Sequence, residues 1–211
     1  MDQVREKPWL AHYDPGVPPE IQVPDIPLWR FLEESARRFP QNVALEFLGK
    51  TLSYQELWGL ARRFAQGLKD LGVRPGDRVA IMLPNSPQFV IAFYGTLLAG
   101  GVGVNVNPLY TPRELRHQLA DAGAETLVIL DHLLPRYLEV EKEVPVKRVV
   151  VTGIKDFLPF PKNLLYPLKA KRDGLPLGFP KREGFHAFAE LLKRPPAEPH
   201  VPDPEDLALL Q

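Results

Sequence analysis

Between Leu57 and Leu71 apolar residues recur every three or four positions, at Leu57, Leu60, Ala61, Phe64, Leu68 and Leu71. That is the period of an amphipathic helix. Ser53 and Glu56 have the spacing of a capping box at its start, and Gly72 ends it. Upstream, Pro27 opens a second amphipathic helix, with Leu28, Phe31, Leu32 and Phe39 close to one face and Pro40 beyond its end. Val43 to Leu48 and Thr51 to Tyr54 read as a hairpin around Gly49-Lys50. Arg78 to Leu83 is a nearly continuous apolar strand, and Ser86-Pro87 caps a helix that is apolar on all sides from Phe89 to Ala99. That run is far short of the ~20 residues needed to span a bilayer, so a buried helix is expected.

The stretch LLAGGVGVNVNPLYTPREL, Leu97 to Leu115, holds a helix end, a strand and a helix start. Gly100 and Gly101 stop the apolar helix, because glycine takes the left-handed conformation of a C-cap without steric cost. Val102, Val104 and Val106 alternate as a short strand, and Asn107-Pro108 breaks it. Thr111-Pro112-Arg113-Glu114 then reads as N-cap, first-turn proline and capping-box acid. Thr126 to Leu130 and Val146 to Val151 are two more buried-type strands, separated by a helix that includes Tyr137 to Glu143. Strands alternating with helices at this spacing predict an α/β fold with a mostly parallel sheet flanked by helices.

Texture divides the chain into four stretches. Residues 1–24 form a proline-rich irregular arm, 25–153 the α/β core, 154–184 a basic, aromatic, proline-rich insertion, and 185–211 a short helix from Phe185 to Lys193, a spacer and a strand start in Glu205 to Gln211. From Lys155 to Arg182 there are seven basic and two acidic residues, a net +5 in a chain whose total is zero. Phe157, Phe160, Leu164, Leu165, Tyr166, Leu168 and Phe179 are interleaved with them, and prolines at 159, 161, 167, 176 and 180 forbid one long helix. This composition has two readings: a surface for an anionic membrane, or a solvated loop whose aromatics fold onto the protein. Lys162, Lys169, Lys171 and Arg172 are the membrane-surface candidates.

Composition narrows the rest. A length of 211 residues with 45% hydrophobic and 25% charged residues suits one domain or a large piece of one. Balanced charge gives no electrostatic case for nucleic acid. With no cysteine, disulfides and thiolate metal sites are excluded, in keeping with a reducing cytoplasm. The opening MDQVREKPWLAHYD lacks the apolar run of a signal peptide.

Little in the chain reads as catalytic. Gly100-Gly101-Val102-Gly103 follows a helix and precedes a strand, the reverse of a phosphate loop. His12, His117, His132, His186 and His200 have no metal-ligand spacing. Ser35, Ser53 and Ser86 lack a nucleophile setting, and two of them are explained as caps. Glu139, Glu141 and Glu143 read as a solvated helix face. Asn105 and Asn107 are the most unusual polar placements, read as hydrogen-bonding neighbouring backbone at the strand end in preference to touching a substrate.

The helix-Gly-Gly-strand-Asn-Pro stretch resembles a core motif of the adenylate-forming enzymes, the superfamily of acyl-CoA synthetases, luciferases and peptide-synthetase adenylation domains. Leu52-Ser53-Tyr54-Gln55-Glu56-Leu57, Arg74-Pro75-Gly76-Asp77-Arg78-Val79 and Pro84-Asn85-Ser86 are similar to further motifs of that superfamily at the expected intervals. The opening, Lys7-Pro8-Trp9-Leu10 through Pro15-Gly16-Val17-Pro18, is similar to bacterial long-chain fatty-acid-CoA ligases in particular.

The resemblance implies the N-terminal part of a cytoplasmic ligase, peripheral to the inner face of the membrane if the basic insertion contacts lipid. Such an enzyme activates a long-chain fatty acid with ATP and magnesium to an acyl-adenylate, then transfers the acyl group to coenzyme A. Its phosphate loop comes directly after a segment like Glu205 to Gln211, and its catalytic lysine lies in a small C-terminal domain. No catalytic, cofactor-binding or metal residue is therefore carried onto this sequence, and the chain is expected to be inactive alone. The other readings are an adenylate-forming enzyme for aryl or short acids, a non-enzymatic α/β lipid-surface module, and one subunit of a split enzyme. The proline-rich arm leaves a homo-oligomer open.

Overall fold

A computed structural model describes residues 7–211. The front of the proline-rich arm, residues 1–6, lies outside the described residues, and Pro8–His12 forms a turn of 3-10 helix. A six-stranded parallel sheet carries the fold, built from β3 (Arg78–Met82), β4 (Val102–Asn105), β5 (Thr126–Leu130), β6 (Arg148–Thr152), β7 (Phe185–Ala187) and β8 (Leu209–Leu210). Its order is β7-β6-β5-β3-β4-β8. The chain steps from β3 outward to β4, crosses back over β3 to β5 and continues to β6 and β7.

Because crossovers are right-handed, this reversal sends α3 (Pro87–Ala99) and α4 (Pro112–Ala122) to opposite faces. On one side α3 packs with α2 (Tyr54–Asp70), α1 (Trp29–Arg38) and α7 (Phe188–Leu191); on the other, α4 packs on α5 (Leu134–Val140). With both faces covered, the central strands read as continuous apolar runs, and Val79 to Met82 and Leu127 to Ile129 are fully buried.

Local chemistry sets the ends of these elements. Ser53 and Glu56 form the reciprocal capping box of α2, and Thr111 and Glu114 that of α4. Gly100 closes α3 in the left-handed region at φ 87°, where a Cβ is strained. Gly95 has a different role. A Cβ there would lie 2.7 Å from the Phe64 ring and 3.0 Å from the Ala61 carbonyl, so glycine sets how closely α3 approaches α2.

Four expectations need correction. In α1 the buried side chains are Trp29, Leu32 and Ala36, while Leu28, Phe31 and Phe39 are exposed. The Trp29 indole donates to the His200 carbonyl at 3.0 Å, and this distant contact rotates the buried face. The hairpin of β1 (Val43–Phe47) and β2 (Lys50–Ser53) turns at Leu48-Gly49, both with positive φ. The helix expected to include Tyr137 to Glu143 runs from Leu134 only to Val140, after a 3-10 turn at Asp131–Leu133, and Glu141 to Glu143 lie in the turn beyond it. Phe185 to Ala187, expected to be helical, is strand β7, because it pairs with Val149 to Val151 at the edge of the sheet.

Candidate functional site at the carboxyl edge of the sheet

In an open parallel sheet, neighbouring strands whose connections leave in opposite directions open a crevice above their carboxyl ends. Here those strands are β3 and β5. Four segments converge at that edge: the start of α3, the turn after β4, and the segments following β5 and β6.

Gln88, in the first turn of α3, is fully buried, and its Nε2 donates to the Gly153 carbonyl after β6 at 3.0 Å. Its Oε1 finds no partner among the described residues. Asp131, directly after β5, is 4% exposed. One carboxylate oxygen accepts from the His132 amide at 2.8 Å, and the other accepts from the Gly178 amide at 3.3 Å. The Asp156 carboxylate accepts from the Gly153 amide at 2.9 Å and the Thr152 hydroxyl at 3.0 Å. These bonds hold the backbone of the β5 and β6 ends in place. Burial, reinforced by the Asp131 and Asp173 carboxylates, pushes the Tyr166 phenol above its ordinary range.

The turn after β4 is fixed from two sides. Asn107 accepts from the Leu109 amide at 2.9 Å, an Asx turn that bears out the backbone-bonding reading of this residue. Arg136 of α5 reaches across and donates to the Pro108 carbonyl at 2.7 Å and the Tyr110 carbonyl at 3.0 Å. Asn105 departs from expectation. Its side-chain oxygen is buried without a hydrogen-bond partner among the described residues, while its main-chain carbonyl accepts from Gln118 at 2.8 Å. Val104 is level with Leu210 of β8, so Gln211 stands next to Asn105.

Geometry supports positioning at this edge. Gly100 caps a helix C-terminus, the electronegative end, and Gly103 lies in a strand against Phe93 and Leu209, so this glycine run offers no cradle for phosphate. Among the described residues no three His, Asp or Glu side chains converge as a metal site.

The four basic candidates sit elsewhere, together on one helix, α6 (Lys162–Arg172). Pro167 lies inside it, so the prolines limit this segment to 11 residues without ending the helix at that point. Lys162 donates to the Leu48 carbonyl at 2.8 Å, tying α6 to the hairpin tip, and Arg172 pairs with Asp173 at 3.2 Å. A cavity of about 300 Å³ lies between them, lined by Leu48, Ile154, Leu158, Leu165, Tyr166 and Lys169. Glu141, expected on a solvated face, instead accepts from Arg182 at 2.6 and 2.7 Å and fastens the end of this segment to α5.

Sequence reasoning did not assemble Gln88, Asp131, Gly153 and Arg136. Gln88 did carry a signal, a polar residue at the head of a helix that is otherwise almost wholly apolar.

Comparison with known proteins is consistent with this architecture. The chain is 41% identical over 210 residues to a long-chain-fatty-acid-CoA ligase of Bacillus subtilis, an alignment covering 98% of this chain and 37% of that protein. A long-chain-fatty-acid-CoA ligase of Archaeoglobus fulgidus superimposes with a TM-score of 0.72 at 24% identity, over 93% of this chain and 36% of that one. An anthranilate-CoA ligase crystallised with anthranoyl-AMP gives the same score at 22% identity, over 90% and 32%. At such identities the solved structures speak for the fold. The chain thus spans about a third of the length of the relatives it matches. The sequence pattern of the AMP-binding enzymes covers residues 32–211, and the chain belongs to that family.

Proposed function

We propose that this chain is the N-terminal scaffold of an ATP-dependent long-chain-fatty-acid-CoA ligase. The observation that carries the reading is the 41% identity to the Bacillus subtilis ligase along nearly the whole chain. In the complete protein the reaction joins a fatty acid to ATP as an acyl-adenylate with release of pyrophosphate, then passes the acyl group to the coenzyme A thiol. ATP, magnesium and coenzyme A are the reactants that membership of the AMP-binding enzymes implies for the complete protein, and no residue of this chain is assigned to hold them. The contribution of this chain is placement. β8 runs parallel to β4 and ends beside Asn105, so whatever follows β8 begins at the carboxyl edge, next to the turn fixed by Asn107 and Arg136.

A second reading, activation of aryl acids, is favoured by the fold shared with the anthranilate ligase. An acid panel given to the complete protein with ATP, magnesium and coenzyme A separates the two. Thioester formation with palmitate and oleate, and little with benzoate or anthranilate, is expected. The opposite preference overturns the fatty-acid reading.

A further inference from the structure

Helix α6 is seated on the protein by one face. Ala170 is buried and Asn163, Tyr166 and Pro167 are half-buried, while the opposite face has no cover. On that face Leu164 and Leu168 are 65% and 69% exposed, and Leu165, at the flank where it also lines the cavity beside the hairpin, is 57% exposed. Phe160, just before the helix, is 78% exposed, and Leu48 at the hairpin tip is 56% exposed next to Lys162. A single exposed leucine needs no explanation, but a contiguous row marks a surface for something apolar.

Charge identifies the kind of partner. At 3.6 residues per turn, Leu164, Leu168 and Arg172 form a stripe, with Lys171 on one flank and Lys169 and Lys162 on the other. No acidic residue occurs in the helix, and the one that follows, Asp173, engages Arg172. The stripe is about 12 Å long at 1.5 Å per residue. An apolar row bordered on both sides by cations has the cross-section of a helix lying in a lipid interface, with its chains in the acyl boundary and its ammonium groups at headgroup depth.

We propose that α6 is an interfacial helix that seats this protein on an anionic lipid bilayer. Phe160, Leu164, Leu165 and Leu168 enter the acyl boundary, and Lys169, Lys171 and Arg172 meet the headgroup phosphates. The Lys162 bond to the Leu48 carbonyl holds the hairpin tip level with the helix, adding Leu48 to the same surface. The surface stands on its own geometry and does not depend on which acid the protein activates. A cytoplasmic protein would present it to the inner leaflet, where anionic lipids are concentrated.

The test is co-sedimentation of the complete protein with vesicles of phosphatidylcholine containing about one third phosphatidylglycerol, compared with pure phosphatidylcholine. Three proteins are compared: wild type, the triple reversal K169E/K171E/R172E, and an equal charge reversal at exposed sites elsewhere, R37E/R63E/R113E. The wild type binds anionic vesicles, less tightly as salt rises. The α6 reversal weakens binding on the order of a hundredfold, and the control reversal leaves it within about twofold. A fourth protein, the variant L164S/L168S, keeps every charge and also weakens binding. Each substituted side chain is exposed, so circular dichroism and thermal melting of the variants are expected to match wild type. Four results overturn the proposal: absence of wild-type binding, equal binding to neutral vesicles, equal loss in the two charge reversals, or unchanged binding of the leucine variant. Unchanged binding would also be the outcome if the rest of the complete protein covers α6.

Discussion

The scaffold from Ser53 to Thr152 and the segment from Ile154 to Arg182 contrast in how sequence becomes structure. In the scaffold each local signal agrees with the global one. Two capping boxes, a glycine C-cap and apolar strands all place the same elements, and the side chains so placed are buried from every direction. In the later segment composition and packing disagree. Leucines and a phenylalanine stay in water, a proline sits within a helix, and positive charge collects on the outward face. Agreement of levels makes a buried frame; disagreement leaves the exposed face from which the lipid proposal is drawn.

Substitutions should separate the two regions sharply. The largest effect is expected at Phe64, fully buried between Gly95 and Phe188, its ring 4.6 Å from that of Phe188. Phe64→Ala should destabilise the chain by about 3–5 kcal/mol in urea denaturation. A loss below about 1 kcal/mol would mean that the α2–α3 contact is not the core it appears from burial. Gly95→Ala introduces the opposite fault at the same contact, crowding Phe64 and the Ala61 carbonyl, and should cost about 1–3 kcal/mol.

Ser53→Ala removes one half of a capping box and should cost about 1 kcal/mol by the same measurement. The acids of the two boxes add a pH signature. Hydrogen bonds from Ser53 hold the Glu56 carboxyl below its ordinary value, and those from Thr111 do the same for Glu114. Both groups bind protons more weakly folded than unfolded, so their contribution is complete above the ordinary value of 4.5 and is lost as pH falls through the lower folded values. Glu56→Gln and Glu114→Gln should each flatten the decline in stability below pH 4.5, and an unchanged slope would remove the boxes from the account.

The smallest effect on stability is expected in the later segment. L164S/L168S should change it by less than about 0.5 kcal/mol, although four leucine methyl groups are lost, because both side chains are already in water. A loss comparable to that of Phe64→Ala would show that α6 packs against the protein.

The same contrast explains what could be read from the sequence. The period of α2, the caps of α3 and α4 and the strands β3, β4 and β5 were legible because each is set by residues within one turn or one strand of it. The buried face of α1 was not, since Trp29 is turned inward by a carbonyl 171 positions away. β7 was not, because Phe185-His186-Ala187 has no pattern of its own and becomes a strand by pairing with β6. The carboxyl-edge network was invisible for a similar reason. Gln88, Asp131 and Gly153 come from three separate elements and meet only when the sheet order is known. Composition alone exposed the basic segment, but it could not show that Lys162, Lys169, Lys171 and Arg172 share one helix with an uncovered leucine row.

The central claim is that this region places the chemistry of a ligase without performing it. Fatty-acid-dependent exchange of pyrophosphate into ATP tests this most directly, measured in parallel on the complete protein and on the 211-residue chain. The account predicts exchange with palmitate in the complete protein and none in the chain alone. Robust exchange by the chain, or a complete protein inert towards fatty acids, would contradict it.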